Sequence, residues 1–295
     1  GALMIYGIFL SLLTCLCWGS TSFLLRGINR LDASEMSFMR ASGGLLCGLF
    51  LLIFSHAGLS QSLKLSDILV FIALVLCNNV IGDVFLFFAL HRLGVARGAA
   101  ISSSYPIPVA LASSLFFGAK LSFPVVAGTV AVVAAVALLC HSKKSEGGLS
   151  VSGLVYAVLA CLFWAAGLLF NKQLVVAGLA PITIVLGRGV AFFTIAFAIW
   201  LARLAFVKND MSSWRRLRSK EALMGLLAGI LSLGFGAWLY SSALEYVAPA
   251  VATTIGGANP IVATVFALVI YKEKVRPLQW AAIALAAGGS VLVTF

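Results

Sequence analysis

The sequence predicts an all-α, polytopic membrane protein of ten transmembrane helices, arranged as two inverted five-helix repeats. Three observations carry this. Of the 295 residues 62% are hydrophobic and only 10% are charged, with a mean hydropathy of +1.11, whereas an ordinary soluble domain is about one-quarter charged. Apolar runs of bilayer-spanning length recur along the whole chain. The two halves of the chain also resemble each other in order and spacing.

Punctuation by Gly, Pro and charged residues places the spans near 4–25, 34–55, 67–90, 95–117 and 122–140, then near 150–171, 181–203, 221–244, 247–270 and 277–295. Each crossing needs roughly 20 residues, so little chain remains for a soluble domain. A secretory signal cannot explain a pattern repeated this often. The sizeable connectors are the stretch after Phe54, the linker around Lys143 to Gly148, and the basic segment from Lys208 to Lys220. The organisation is therefore a first repeat over 1–140, a linker over 141–149 and a second repeat over 150–295.

The net charge of +11 does not point to nucleic acid. The basic residues sit in short connectors and form no groove interleaved with aromatics; they read as signals of membrane orientation. The six cysteines, Cys15, Cys17, Cys47, Cys77, Cys140 and Cys161, lie inside or at the ends of apolar runs without CxxC spacing. That gives neither a disulfide framework nor a zinc site, and neither metal nor cofactor is expected.

The internal similarity is specific. Cys15-Leu16-Cys17-Trp18-Gly19 lines up with Cys161-Leu162-Phe163-Trp164-Ala165, and each second span carries one arginine, Arg40 and Arg188. Phe88-Ala89-Leu90 matches Ser242-Ala243-Leu244, Pro106 matches Pro260, and Phe117-Gly118-Ala119-Lys120 matches Tyr271-Lys272-Glu273-Lys274, these three at one constant offset. Ordered matches of this kind indicate an internal duplication. A repeat of five spans, an odd number, forces the second copy to enter the membrane from the opposite side. Inverted repeats are a recurrent architecture of secondary transporters, with the solute site near the midplane where the repeats meet.

The two five-span halves, the Trp in each opening helix, the Arg in each second helix and Tyr271-Lys272-Glu273-Lys274-Val275 before the last helix together resemble the drug/metabolite transporter superfamily, in its two-repeat EamA-type branch. The acid that the family pattern places before the fifth helix is Ala119 in the first half and Glu273 in the second. The resemblance covers nearly the whole chain and implies export or exchange of small metabolites. It also implies cytoplasmic termini.

Asp83 is the acidic residue deep in an apolar run. An intramembrane charge costs about 2.5–3.5 kcal/mol on insertion scales, so such a side chain faces a cavity or pairs internally. Asn79 lies one helical turn earlier and Asn78 is adjacent to it, which makes a polar stripe. Asp83 is thus expected either to contact solute or protons or to pair with Arg40 or Arg188. The two arginines have an architectural role or bind a solute carboxylate. Ser102-Ser103-Ser104-Tyr105-Pro106 corresponds to a second stretch that runs from Thr253 and Thr254 to Asn259 and Pro260. Proline frees backbone carbonyls, and helices broken at matching positions of two halves point to a transport site with gating at Pro106 and Pro260. Trp18, Trp164, Trp238, Tyr240 and Tyr105 supply aromatic surface. The expected solute-binding set is therefore Asp83, Asn79, Asn78, Trp18, Trp164, Ser103, Tyr105, Arg40, Arg188, Trp238, Thr254 and Asn259. Gly44-x-x-x-Gly48 and Gly225-x-x-x-Gly229 are expected to be packing notches.

An intramembrane enzyme is the rival class. Ile81-Gly82-Asp83 approaches an intramembrane aspartyl-protease GxGD motif, but Val80 occupies the first glycine's place and a second intramembrane aspartate is missing. HExxH and GxSxG are absent too, so no enzyme is expected. A passive channel is the other alternative. The expected function is a secondary transporter of the cell (inner or plasma) membrane, moving a small amphipathic metabolite such as an amino acid by alternating access. Its partners are the small-molecule solute and the lipid bilayer, with protons as a hypothesis for coupling; monomer and homodimer both stay open. Most connector Lys and Arg fall on one side, and the positive-inside rule puts that side, with the Lys208 to Lys220 loop, in the cytoplasm and the termini outside, opposite to the family expectation.

Overall fold

The computed structural model describes residues 1–25, 28, 30–54, 59, 63–93, 95–141, 150–206, 212–271 and 277–295. Expectations resting on Arg26, Lys143 to Gly148, Lys208 and Lys272 to Arg276, Glu273 included, lie outside those residues. The described residues form helices and short turns, with no strand among them. The first half contains α1 (Ala2–Leu24), α2 (Ala33–Phe54), α3 (Leu65–Val75), a π-helical turn (Leu76–Ile81), α4 (Gly82–Leu93), α5 (Val95–Ser102), α6 (Pro106–Phe117) and α7 (Phe123–His141). The second contains α8 (Val151–Val176), α9 (Pro181–Phe206), α10 (Ser212–Arg216), α11 (Lys220–Gly229), a second π-helical turn (Ile230–Gly236), α12 (Ala237–Ala243), α13 (Pro249–Gly257), α14 (Asn259–Tyr271) and α15 (Pro277–Leu292).

Among the described residues, eight helical segments are long and apolar enough to cross a membrane. They are Ala2–Thr21, Ala33–Phe54, Leu65–Leu93, Gly98–Phe117, Val151–Val176, Pro181–Phe206, Lys220–Ala243 and Pro249–Phe266. The fifth segment of each half, Phe123–Leu138 and Pro277–Leu292, is a shorter apolar helix. All ten expected runs are thus helical, and eight meet the spanning length. The helices are apolar on most faces, as expected of helices whose outer surface meets hydrocarbon. Local signals set several ends. Ser150 and Ser219 cap α8 and α11 by accepting from the backbone N–H of Gly153 and Ala222, Pro106 and Pro249 open α6 and α13, and Gly118, at φ 63°, closes α6 in the left-handed region.

The first helix of each half packs into the other half. α1 lies against α11 to α14 and the second π-turn, while α8 lies against α3 to α6 and the first π-turn. α2 pairs with α9, and α7 pairs with α15. Small residues allow the closest approaches. A Cβ on Gly43 would stand 2.0 Å from the Leu226 carbonyl oxygen and one on Gly229 2.1 Å from that of Arg40, so α2 and α11 meet backbone to backbone. Gly44 faces Leu233, Gly48 faces Leu186 and Gly225 faces Met36, all at packing notches. At the α7–α15 crossing, Gly128 and Gly289 face each other's carbonyl oxygens.

Candidate functional site

Two features of the backbone position the site. The offset that carries Pro106 onto Pro260 also carries the first π-turn onto the second and Gly82 onto Gly236. A π-turn inserts a residue into the helical ladder and re-aims the side chains that follow, and such turns are frequent at functional sites. Each is covered by the tryptophan of the opposite half. The Trp164 indole stands over Gly82, where a Cβ would come within 2.5 Å of it, and the Trp18 indole stands over Gly236, where the corresponding approach is 2.9 Å. Sequence periodicity hides these turns, because they do not disturb the apolar pattern; the paired glycines at the repeat offset were the one available signal.

The acceptors of the two indoles differ. Trp18 Nε1 donates to the Ser232 carbonyl oxygen at 3.3 Å, inside the second π-turn. Trp164 Nε1 donates to Asp83 Oδ1 at 3.1 Å, because Asp83 replaces the Ala237 of the second half. Asp83 Oδ2 lies 3.7 Å from Arg40 Nη1, and the Asp83 side chain remains 39% exposed while that of Arg40 is 21% exposed. Arg188, 8% exposed as a residue, donates to Asn79 Oδ1 at 3.4 Å, and Asn78 Nδ2 reaches the Trp164 carbonyl oxygen at 3.5 Å. The structure therefore brings Asp83, Arg40, Arg188, Asn78, Asn79 and Trp164 into one polar cluster within apolar helices.

The helix breaks are present in both halves. α5 ends at Ser102 and α6 restarts at Pro106, while a turn at Ala258 separates α13 from α14. These breaks meet: Pro106 Cγ sits over Gly257, and Asn259 Nδ2 donates to the Tyr105 hydroxyl at 3.4 Å. Tyr105 packs edge-on against Trp164, with 5.9 Å between ring centroids, so Asp83, Trp164, Tyr105 and Asn259 form a continuous path from the cluster to the breaks. Pro260 is the second residue of α14 and belongs to the same junction.

The other expected residues are distributed differently. Thr254 is fully buried and shares a hydrogen bond of 2.9 Å with Thr129, which ties α13 to α7. Trp238 packs among aliphatic core residues near Cys47 and Leu51. Ser103 lies in the turn before Pro106 and is partly exposed. Tyr240, expected to supply aromatic surface, lies beside Trp18 in a tilted pair with 5.5 Å between ring centroids and shares a hydrogen bond with Thr253 at 2.8 Å, as Tyr105 lies beside Trp164. Among the described residues no three metal-ligating side chains cluster. A groove of about 410 Å³ lies elsewhere: its wall includes Ile8, Leu12, Ile255 and Val262 and is almost entirely apolar, so it offers little to orient a polar solute.

A second polar cluster closes one end of the bundle. Glu35 is fully buried at the start of α2. It accepts from both Arg216 Nε, at 3.0 Å, and Ser213 Oγ, and Trp200 Nε1 donates to Ser213 at 3.1 Å. Arg203 pairs with Asp32, and Arg30 with Glu221 at 3.8 Å. Partial burial alone would raise the Asp32 pKa. Hydrogen bonds from the Ser34 hydroxyl and from the backbone N–H groups of Glu35 and Ser34, together with Arg203, outweigh burial and hold it below the usual carboxylate range.

Apolar helices of spanning length, a duplicated arrangement and charges buried between the copies define a multi-pass integral membrane protein. The EamA-like transporter family model matches residues 5–140 and again 151–295, and the chain belongs to that family. It is 29% identical over 272 residues to an uncharacterized transporter of Archaeoglobus fulgidus, covering 91% of this chain and 90% of the relative. It is 26% identical over 287 residues to the uncharacterized inner membrane transporter YedA of Escherichia coli, covering 94% and 87%. A solved crystal structure matches 100% of this chain and 99% of its own at a TM-score of 0.77 and 17% identity, a likeness of fold alone.

Proposed function

We propose that the protein is a secondary transporter that moves a small amphipathic metabolite, an amino acid or a similar zwitterionic or weakly charged solute, by alternating rocking of two inverted halves with all ten helices in the membrane. One observation carries most weight: the partly exposed Asp83 carboxylate, held by Trp164 and loosely by Arg40. A charge with an open face inside an apolar bundle is stable when that face lines a wet cleft. Aromatic rings beside a few polar groups are the usual division of labour in a ligand site, the rings covering the apolar part and the polar groups fixing orientation.

The swapped packing of α1 and α8 supports a carrier, because each half's first helix moves with the site of the other. Touching breaks at Pro106 and Gly257 provide the deformable junction, and proton coupling through Asp83 is part of the proposal. A heavily phosphorylated solute would want a denser set of Lys and Arg than Arg40 and Arg188 provide. Reconstituted protein is expected to move amino acids or amine metabolites into liposomes. Movement of only nucleotides, phospholipid or inorganic ions would refute the solute class.

A further inference from the structure

We infer that Arg40 and Arg188 together form an oxyanion subsite that takes the carboxylate of the carried solute. The subsite deepens the carrier function proposed above and rests on it for the ligand's fate, though its binding is measurable separately. The two guanidinium groups come from the paired helices α2 and α9 and reach neighbouring residues of one segment, Arg40 toward Asp83 and Arg188 toward Asn79 four residues earlier. Each group carries five N–H donors and stays protonated.

Their acceptors are few. Among the described residues, Arg40 has Asp83 Oδ2 at 3.7 Å, an ion-pair distance beyond hydrogen-bond length, and its buried Nε has no partner. Arg188 has one long bond, 3.4 Å, to a neutral amide oxygen. Neither side chain makes a bond to a helix-end carbonyl there, the arrangement an architectural arginine would show. Two guanidinium groups face one carboxylate and one amide oxygen, so the cluster of Arg40, Arg188, Asp83 and Asn79 holds more charged donors than acceptors, and buried donors left unpaired are costly.

A ligand carboxylate supplies what is missing. It brings one negative charge and two coplanar oxygens, the geometry a guanidinium fork binds bidentately. A halide lacks the paired acceptors. Once Arg40 turns to the ligand, Asp83 is released from its loose pair while Trp164 still holds it, and its free oxygen faces the ammonium end of a zwitterion.

The test uses purified full-length protein and skeleton-matched ligands: amino acids with aliphatic, aromatic and hydroxylated side chains, each beside its carboxamide and its decarboxylated amine. Binding is followed by tryptophan fluorescence and thermal stabilisation. The carboxylate member of the binding series should bind at least tenfold more tightly than its amide or amine. Arg188→Lys, which keeps the charge, should weaken it by about tenfold and Arg188→Gln by about a hundredfold, with the amide and amine unaffected. An amide that binds as well as its acid, carboxylate binding untouched in the Arg188 variants, or no carboxylate binding in any series would overturn the subsite. Flux separates the two claims. Carboxylate-selective binding without transport would keep the subsite and remove the carrier, whereas transport of acid and amide alike would keep the carrier and remove the subsite.

Discussion

The Trp164 indole donates to the Asp83 carboxylate across the two halves of the chain, at 3.1 Å, while its counterpart Trp18 donates to a backbone carbonyl at 3.3 Å. The same side chain thus meets a carboxylate in one half and a backbone carbonyl in the other. Trp164→Phe and Trp18→Phe should each lower stability by about 1 kcal/mol, the net value of one hydrogen bond, read by thermal denaturation in detergent. Only Trp164→Phe should also change the transport rate and its pH profile. Equal transport defects in the two variants would argue against this asymmetry.

The α2–α11 crossing is predicted to be the least tolerant place for a methyl group. Gly229→Ala would put a Cβ about 2.1 Å from a carbonyl oxygen on the facing backbone, which forces the helices apart at a cost of roughly 1–3 kcal/mol. Gly288→Ala has open space around it and gains helix propensity, so it should be neutral or slightly stabilising. Comparable melting temperatures for the two variants would show that the crossing is looser than described.

The cluster around Glu35 should fix the end of the bundle. Glu35→Ala leaves Arg216 without its buried partner and is expected to cost about 3 kcal/mol. Asp32 adds a pH dependence with a definite sign. Its folded pKa lies below the unfolded value, so its stabilising contribution is present at neutral pH and is lost as pH falls through the folded pKa. Melting temperature measured from pH 7 down to 3 should drop, and Asp32→Asn should flatten part of that drop. An unchanged acid slope in Asp32→Asn would remove the assignment.

Sidedness follows from the basic connectors. With the Lys208 to Lys220 loop cytoplasmic, a cysteine at the exposed Ser212 should resist an impermeant thiol reagent in intact cells and react after permeabilisation. The native Cys15, Cys47 and Cys161 are buried and give little background. Labelling of intact cells would reverse the orientation and favour the cytoplasmic termini implied by the family.

The fold was largely legible because lipid imposes one rule on every span, and the ten apolar runs coincide with helices. The helix breaks were legible too, since Pro106 and Pro260 announce them chemically. Asp83 stood out as a lone acid in an apolar run, and its pairing with Arg40 was one of the two outcomes expected of it. The swapped packing of α1 and α8 was not legible, because the helices are apolar on most faces and many neighbours satisfy them. The π-turns escaped for the same reason. Thr254 and Trp238 are expected at the solute from their polarity and size, and the structure gives one a bond to Thr129 and packs the other against the core; residue type alone does not reveal these helix contacts.

Counterflow in proteoliposomes tests the central claim most directly. Vesicles preloaded with unlabelled amino acid should take up labelled amino acid faster than empty vesicles, because a carrier returns faster when loaded on the far side. Asp83→Asn, reconstituted to the same level, should lose at least tenfold of that exchange together with its pH dependence. Uptake indifferent to the preloaded solute would contradict a carrier, and full, pH-dependent exchange by Asp83→Asn would contradict the site.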